Sequence, residues 1–278
     1  MPSVSFRPDQ EIISHLNDLG VSPSTRLGQN FLRDMNLARK QVRLSGIEKD
    51  DTVLEVGPGL GILTLELANR AKRVLAVEVD PSLATHLEIA MPENVQVIRA
   101  DILKWEPETF DLLVANLPYS ISSPIIFKLI QLDFRGGAIM VQKEFADRLV
   151  AVPGTKEYGR LTVSVGANWD CRRLFNVPAE AFYPRPKVDS VVVGFTAWPD
   201  PPFPMTCPEI FRALVKVCFA HRRKKLRNNL KAGWRELGLP REDMEYHLEQ
   251  LEGLDRRAQE LTPEEFGELS LKLEGLKG

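Results

Sequence analysis

The residues whose types and spacing first point to chemistry are the glycines of the stretch VLEVGPGLGILT, residues 53–64. The stretch begins with an apolar run, continues with glycines at alternate positions and ends in a helix-forming segment. Gly57 and Gly59 allow a sharp turn and a close approach of the backbone to a ligand, because a side chain at either position would collide with that ligand. The alternative is a glycine turn that binds nothing.

Glu55, directly before this turn, helps to distinguish between the two candidate ligands, S-adenosylmethionine and NAD. The spacing G-x-G-x-G differs from the G-x-G-x-x-G pattern that is typical of dinucleotide binding. A carboxylate at this position would repel a pyrophosphate and attract a cation such as an amino group. The charge therefore favours S-adenosylmethionine over NAD.

Acidic residues also follow the next two predicted strands. Glu78 lies in the apolar run VLAVEVD, about 20 residues past the glycines, where a carboxylate can accept hydrogen bonds from both hydroxyls of a ribose. We interpret Asp80 as the N-cap of the following helix. Asp101 can accept a hydrogen bond from the exocyclic amine of an adenine, and a helix cap or a turn is its equally good alternative.

The stretch ANLPYS, residues 115–120, is the second candidate for chemistry, because it ends a predicted strand with three different functional groups. The Asn116 amide oxygen is an acceptor, Pro118 has no N–H and leaves the stretch rich in carbonyl acceptors, and Tyr119 offers a flat face to a base. Two fixed acceptors on an exocyclic amine favour the pyramidal nitrogen whose lone pair can attack a sulfonium methyl. Positioning then replaces a strong base. An ordinary Asn-x-Pro turn is the alternative.

The elements that would position these residues alternate between strand and helix. This alternation predicts an α/β fold with a doubly wound sheet, in which ligands bind at the carboxyl ends of the strands. A loop containing FYPRP separates the last two strands, so they can pair antiparallel at one edge. The predicted strands are 52–56, 73–79, 95–99, 111–115, 137–142, 161–167 and 189–197, and the predicted helices are 61–70, 81–90, 122–132 and 143–151.

A stiff segment after Trp198, PDPPFP, predicts a boundary between a domain of residues 1–198 and a small helical domain of residues 199–278. The net charge is −2, yet residues 207–234 hold eight basic residues and one acid, and residues 235–278 hold six basic residues and twelve acids. We interpret a cluster of five cations as a surface for RNA phosphates, with a solvated charged face as the alternative. These cations are Arg222, Arg223, Lys224, Lys225 and Arg227.

Composition limits the remaining classes of protein. The 278 residues suffice for one large domain and a small one. The three cysteines form no C-x-x-C pair, so the sequence predicts neither a disulfide framework nor a metal site, and it fits a reducing cytoplasm. No signal peptide is predicted, and the most apolar stretch, residues 112–132, contains Asn116, two prolines and a lysine. We therefore expect a cytoplasmic protein that does not bind a membrane.

Four motifs occur in a fixed order: GQNFL at 28–32, ExGxGxG at 55–61, NLPY at 116–119 and FxPxPxVxS at 182–190. Together with the stretch at 141–161, they resemble the small-subunit ribosomal RNA adenine N6,N6-dimethyltransferase family, called KsgA or RsmA in bacteria, which has archaeal and eukaryotic relatives. The resemblance covers roughly residues 24–270, and the motif residues do not depart from the family pattern.

The resemblance implies a Rossmann-like class I methyltransferase sheet with an antiparallel last strand, followed by a C-terminal helical domain. It implies that Asn116 and the carbonyl of Pro118 accept hydrogen bonds from the adenine amine. Tyr119 and Phe182 would stack on the two faces of a flipped base. The residues that it assigns to S-adenosylmethionine are Asn30, Leu32, Gly57, Glu78, Asp101 and Asn116, and the glycine turn adds Gly59 to this predicted set.

The implied reaction transfers methyl groups to the N6 amines of two adjacent adenosines near the 3′ end of small-subunit ribosomal RNA and releases S-adenosylhomocysteine. The implied partner is the assembling small subunit, and we expect a monomer. One alternative is the sibling methyltransferase of large-subunit RNA, which the match over the whole chain disfavours. Another is a protein glutamine methyltransferase, although those carry Asn-Pro-Pro-Tyr. The third is a binding factor that gates subunit assembly, and the intact site residues argue against a purely non-catalytic role.

Overall fold

The computed structural model describes residues 9–24, 27–239 and 244–276. Its contacts divide the chain into two compact units. The first unit contains Met1–Ala146 and Cys171–Ala197, and the second contains Asp147–Asp170 and Trp198–Gly278. The predicted division into residues 1–198 and 199–278 differs from these units by Trp198 and by the segment 147–170, both of which group with the C-terminal helices.

Six of the seven predicted strands lie within one residue of observed strands; the one predicted at 161–167 is absent, and the two-residue strands at 31–32 and 182–183 have no predicted counterpart. Most are short apolar runs rich in valine, isoleucine and leucine, a composition that is typical of strands buried on both faces. In chain order they are β1 (Phe31–Leu32), β2 (Thr52–Val56), β3 (Arg73–Glu78), β4 (Val95–Arg99), β5 (Leu112–Asn116), β6 (Gly136–Gln142), β7 (Trp169–Val177), β8 (Phe182–Tyr183) and β9 (Ser190–Ala197).

The helices fill the gaps between strands, and further helices form the second unit. None of the helices in the described ranges is long and apolar enough to span a bilayer. In chain order they are α1 (Asp9–Asp18), α2 (Met35–Leu44), α3 (Ile62–Ala68), α4 (Pro81–Ala90), α5 (Ser122–Leu129), α6 (Lys143–Leu149), α7 (Arg160–Gly166), α8 (Pro208–Phe219), α9 (Leu226–Gly233), α10 (Met244–Gln250) and α11 (Pro263–Glu274).

Seven of the strands form one sheet in the order β4-β3-β2-β5-β6-β9-β7. The five strands from β4 to β6 are parallel, and β9 runs antiparallel to β6, which confirms the antiparallel last strand that the resemblance implies. Its observed partner is β6 and not the strand predicted at 161–167. The chain winds from β2 through β3 to β4, then returns to β5 on the other side of β2. This reversal is the point at which doubly wound sheets open a crevice for ligands.

The register shows where that crevice opens. β2 pairs with β3 over five residues, but it pairs with β5 at Val53↔Leu112 and Leu54↔Leu113. Beyond those pairs the ends of β2 and β5 lead into the glycine turn at Gly57 and the turn at Asn116. The two motifs that the sequence singles out therefore lie at the carboxyl ends of adjacent strands.

The predicted strand at 161–167 is wrong, because these residues form helix α7 and the strand follows at Trp169–Val177. Residues 161–165 are all buried, so the helix lacks the polar face that reveals an amphipathic helix in a sequence. Val163 and Val165 alternate with polar residues, a pattern that is typical of a strand. The Thr162 hydroxyl, which accepts from the Gly159 N–H at 3.2 Å and donates to the Arg148 carbonyl at 2.7 Å, fixes the first helical turn.

A second, two-stranded sheet joins two distant motifs. β1 pairs antiparallel with β8, with Phe31 opposite Tyr183 and Leu32 opposite Phe182. Neither segment is among the predicted strands, because strands of two residues carry no periodic pattern. This ladder brings the GQNFL motif to the aromatic motif at residue 182.

The second unit has its own core of helices, as predicted for the C-terminal part of the chain. Phe211, Leu214 and Leu230 are buried there together with Tyr158 and Phe266. The cluster of cations does not lie within one helix: residues 221–225 form a turn between α8 and α9. We call this segment the basic turn.

Candidate active site

A cavity of about 220 Å³ lies at the carboxyl ends of the parallel strands in the first unit. It brings together all of the residues that the sequence analysis assigns to S-adenosylmethionine or to the target base, although they come from six separate segments. The lining residues among these predictions are Asn30, Leu32, Gly57, Gly59, Glu78, Asp101, Asn116, Pro118, Tyr119 and Phe182. The five predicted RNA-binding cations belong to the second unit.

The glycine turn has the backbone that its sequence predicts. Gly57 and Gly59 have φ values of +70° and +59°, a region that favours glycine. A Cβ atom at Gly57 would lie 3.3 Å from Cγ of Pro118. The absence of a side chain therefore also lets the glycine turn pack directly against the Asn-Leu-Pro-Tyr turn, so the two motifs form one wall of the cavity.

Glu78 ends β3 and holds the glycine turn from the side. Its Oε2 accepts from the Gly59 N–H at 3.2 Å, and its Oε1 accepts from the Asp80 N–H at 2.9 Å. Burial raises the pKa of Glu78, while these backbone hydrogen bonds act in the opposite direction. Each carboxylate oxygen has a second lone pair, so the predicted contacts with a ribose remain compatible with this arrangement.

The two aspartates after β3 and β4 both stabilise local turns. Oδ1 of Asp80 accepts from the N–H groups of Ser82 and Leu83, which confirms its predicted role as the N-cap of α4. Oδ1 of Asp101 accepts from the Leu103 N–H at 3.0 Å, so the turn that the sequence analysis kept as an alternative is present. Asp101 also lines the cavity, and its contact with an adenine amine stays a prediction.

Glu55 lies inside the cavity wall and is almost completely buried. Its Oε2 has no hydrogen-bond partner among the residues that the structure describes. Burial raises the pKa of Glu55 to about 8, the nearby Thr64 hydroxyl acts in the opposite direction, and the neighbouring Glu78 adds to the rise. A buried acceptor without a partner is costly, so this atom indicates a site for a donor or a cation.

Asn116 presents the second acceptor of this kind. It ends β5 and lines the cavity, and its Oδ1 is buried without a partner in the described part of the chain. The side chain of Tyr119 is fixed by a hydrogen bond of 2.6 Å between its hydroxyl and Oγ of Ser190 on β9. The turn thus combines an unpaired acceptor with an aromatic ring held in place.

The hydrogen bonds of the turn bear on the predicted role of the Pro118 carbonyl as the second acceptor for the amine. That carbonyl already accepts from the Ile121 N–H at 3.1 Å and from Oγ of Ser122 at 3.0 Å, which uses both of its lone pairs. The preceding carbonyl, that of Leu117, accepts no hydrogen bond from the residues described here, and Leu117 lines the cavity. Leu117 is therefore the better candidate for this role.

The remaining predicted residues meet through the β1–β8 ladder. Leu32 lies opposite Phe182, and both line the cavity. Nδ2 of Asn30 donates to the Gly28 carbonyl at 3.2 Å, which shapes the segment before β1. The ladder explains how an N-terminal motif and an aromatic residue about 150 positions later can belong to one site.

Two positioning residues escaped the sequence analysis. Gln29 donates from Nε2 to Oδ2 of Asp80 at 3.4 Å and ties the N-terminal segment to the cap of α4. Gln41, fully buried on α2, donates to the carbonyls of Ala115 and Ala138 at 3.3 and 3.2 Å, directly before Asn116. A polar residue in the apolar stripe of α2 was the available signal, because a buried amide needs partners.

Comparisons with known proteins agree with this geometry. Residues 21–252 match the family described as ribosomal RNA adenine dimethylase. The chain is 39% identical over 264 residues to the probable ribosomal RNA small subunit methyltransferase A of Methanopyrus kandleri, covering 93% of this chain and 95% of that protein. It is 41% identical over 267 residues to the ribosomal RNA small subunit methyltransferase A of Geobacillus thermodenitrificans, covering 90% and 91%.

Solved structures share the fold. A dimethyladenosine transferase from Plasmodium falciparum superposes with a TM-score of 0.72 at 30% identity, covering 87% of this chain and 95% of that one. The 23S rRNA methyltransferase ErmE superposes with a TM-score of 0.63 at 29% identity, covering 88% and 100%. The family match over most of the chain and the relatives at about 40% identity lead to one conclusion: the chain belongs to the ribosomal RNA adenine dimethylase family.

Proposed function

We propose that this protein transfers methyl groups from S-adenosylmethionine to the N6 amines of two adjacent adenosines near the 3′ end of small-subunit ribosomal RNA, forming N6,N6-dimethyladenosine. The observation that carries the proposal is the Oδ1 atom of Asn116, a buried acceptor without a partner at the wall of the cavity. An exocyclic amine has two N–H groups to donate. The second acceptor in the same turn is the carbonyl of Leu117.

The residues around the cavity suit S-adenosylmethionine. Glu55 offers an unpaired carboxylate oxygen to an ammonium group, and Glu78 retains lone pairs for ribose hydroxyls. The glycine turn leaves room for close approach to the backbone. When bound, S-adenosylmethionine would supply an activated methyl group, whose carbon a nitrogen lone pair can attack while the bond from that carbon to the sulfonium sulfur breaks and the thioether leaves.

Asn116 and Leu117 act by positioning and electrostatics. Two acceptors on the amine N–H groups hold the nitrogen in a pyramidal geometry and direct its lone pair into the cavity. The attacked nitrogen becomes acidic as the new bond forms, so the site needs no strong general base. For the second methylation, Asn116 and Leu117 must hold an amine that has one N–H left, and one acceptor suffices for that proton.

Tyr119 and Phe182 supply the surfaces for the target base. An adenosine within a helix must leave its stack before an enzyme can reach N6. Stacking on aromatic rings then offsets part of the free energy that unstacking costs. Ser190 holds Tyr119 through the hydrogen bond between their hydroxyls, and the ladder with Leu32 holds Phe182. The base would thus enter a preformed slot.

Replacement of Tyr119 by alanine is expected to lower kcat/KM for RNA by about one to two orders of magnitude, because a base–aromatic stack contributes about 1–3 kcal/mol. Tyr119→Phe is the matched control, since it removes the bond to Ser190 but keeps the ring, and we expect it to stay within about threefold of the wild type. Steady-state methyl transfer to RNA measures both. Wild-type kcat/KM in Tyr119→Ala would contradict the stacking role.

The affinity for S-adenosylmethionine is expected to depend on pH through Glu55. Its raised pKa of about 8 means that the free protein carries a proton there at neutral pH. Attraction of an ammonium group requires the ionised carboxylate, so binding releases this proton. Between about pH 5.5 and 7 the affinity should therefore rise with pH, by at most about tenfold per unit.

Isothermal titration calorimetry in two buffers of different ionisation enthalpy measures this proton release directly. Glu55→Gln is the matched control, because it keeps the shape of the side chain and cannot titrate. We expect its affinity to be weaker than that of the wild type and flat with pH. A wild-type protein that takes up protons on binding, or a slope that survives in Glu55→Gln, would contradict the assignment.

The small subunit is the preferred substrate because the relatives at about 40% identity are named small-subunit methyltransferases, whereas ErmE, a 23S rRNA methyltransferase, is 29% identical. We infer that the protein acts in the cytoplasm, as a monomer, on assembling small subunits. A direct test offers unmodified small and large subunits separately with labelled S-adenosylmethionine. Label in small-subunit RNA is expected, and label confined to large-subunit RNA would contradict the proposal.

A further inference from the structure

We propose that the four cations of the basic turn, at positions 222–225, have different roles. Arg222 is a positioning residue that holds the turn in shape, and Arg223 and Lys224 contact RNA phosphates. The inference rests on the proposed function, methyl transfer to ribosomal RNA, and on the interpretation of these cations as a surface for RNA phosphates. It assigns different roles to three consecutive basic residues that the sequence treats as one cluster.

The guanidinium of Arg222 is fully engaged within the second unit. Its Nε donates to Oε1 of Gln259 at 2.8 Å, its Nη1 donates to the Lys156 carbonyl at 2.6 Å, and its Nη2 donates to the Thr155 carbonyl at 2.8 Å. Both edges of the planar fork are therefore occupied. A bidentate contact with a phosphate needs one of those edges free.

The loop that Arg222 holds is itself tied down, so the arginine connects the basic turn to a rigid support. The Gly154 N–H donates to the Gln259 carbonyl at 2.8 Å. The buried hydroxyl of Tyr158 donates to the Leu261 carbonyl at 2.7 Å. Three segments distant in sequence, at residues 154–158, 222 and 259–261, thus meet around one guanidinium.

Two further residues fix the basic turn from other sides. Nδ2 of the buried Asn229 donates to the carbonyls of Cys218 and His221, at 2.7 and 3.2 Å. Nζ of Lys225 lies 2.8 Å from Oδ1 of Asp255. Arg222 and Asn229 therefore hold the turn, while the exposed Lys225 has its charge matched by an acid, a contact that adds little to stability.

Arg223 and Lys224 take no part in the contacts that hold the basic turn. Both side chains are exposed, and in the described part of the chain neither makes a hydrogen bond or an ion pair. Two unpaired cations on a fixed turn can meet phosphates without first breaking a contact or ordering a loop. Such contacts set affinity and register on RNA, and they make binding depend on salt.

Arginine-to-lysine substitutions separate the two roles, because lysine keeps the charge and binds phosphate but lacks the planar fork. We expect Arg222→Lys to weaken binding of the full-length protein to unmodified small-subunit ribosomal RNA about fivefold or more and to lower its Tm by several degrees. Arg223→Lys is the matched control one position away. It should bind within about twofold of the wild type at an unchanged Tm.

Salt dependence identifies the residues that contact phosphate. Arg223→Ala and Lys224→Ala are each expected to reduce the slope of log Kd against log salt concentration by about 1 while Tm stays unchanged. Arg222→Lys is expected to keep the wild-type slope, because the number of phosphate contacts does not change. Filter binding at a series of salt concentrations and thermal unfolding provide both readings.

Wild-type Tm and Kd in Arg222→Lys would overturn the positioning role. Unchanged slopes in both Arg223→Ala and Lys224→Ala would overturn the phosphate contacts. If the wild-type protein did not bind small-subunit RNA at all, the proposed function would fail and the phosphate contacts with it. The lowered Tm of Arg222→Lys would still be expected, so that failure is distinguishable from a failure of the positioning role.

Discussion

An Asn116→Ala protein is expected to lose about two to three orders of magnitude in kcat for methyl transfer to RNA. The substitution removes the buried Oδ1 acceptor and leaves the fold of β5 intact, since Asn116 is the last residue of that strand. Without that acceptor the amine keeps its planar, conjugated form, and its lone pair is not available. The loss should therefore appear in the rate constant of the chemical step, which single-turnover methyl transfer measures, and in kcat where that step limits turnover.

Asn94→Ala is a suitable control for this loss. Asn94 belongs to the same unit, and its Nδ2 donates to the carbonyls of Ala68 and Ala71 at 2.9 and 3.2 Å, away from the cavity lining. We expect Asn94→Ala to lower Tm and to keep the wild-type kcat. A kcat within about threefold of the wild type in Asn116→Ala would contradict the catalytic role of the acceptor.

The largest effect on folding is expected from Gly137→Ala. Gly137 lies opposite Leu113, with a φ of +150°, and an added Cβ would stand 1.8 Å from the Leu113 carbonyl oxygen. That atom belongs to the backbone of a buried strand and cannot move aside. We expect a cost of more than about 4 kcal/mol, a large share of the roughly 5–15 kcal/mol that stabilises a typical protein.

The Gly137→Ala chain should therefore be insoluble or unfolded at a temperature where the wild type is folded, as circular dichroism would show. Gly166→Ala is the matched control, because a Cβ there meets no atom within 4 Å. It should unfold at the wild-type Tm or slightly above it. A soluble Gly137→Ala protein with a Tm within a few degrees of the wild type would contradict the close approach of β5 and β6.

Much of the first unit is predictable because its strands are short apolar runs bounded by turns. The spans of β2 and β4 agree with the sequence prediction residue for residue, and that of β3 differs by one residue. The strand predicted at 161–167 fails because helix α7 is buried on all sides and shows no polar face. Periodicity reports the contrast between a buried and an exposed side, and a fully buried helix lacks that contrast.

The members of the site are predictable where a motif sits at the end of a strand, as Glu78 and Asn116 do. The sequence does not decide between the carbonyls of Pro118 and Leu117. That choice depends on which carbonyl accepts the hydrogen bonds from Ile121 and Ser122 at the start of the helix. Gln41 also escapes, since its partners are backbone atoms more than 70 residues away. Sequence patterns identify chemical groups, while three-dimensional hydrogen bonding decides which of them stay available.

The basic turn shows the same limit. A run of arginines and lysines predicts phosphate binding for every member, because the sequence reports charge alone. The structure gives Arg222 three partners and leaves Arg223 and Lys224 exposed. Two arginines at adjacent positions can therefore differ in the contacts that their side chains make.

Methyl transfer from labelled S-adenosylmethionine to unmodified small ribosomal subunits tests the proposed reaction. The RNA is then digested, and its nucleosides are identified by mass. The account predicts N6,N6-dimethyladenosine from two adjacent positions near the 3′ end with the wild-type protein. With Asn116→Ala it predicts almost none. Label in protein, in large-subunit RNA alone or in no product at all would contradict it.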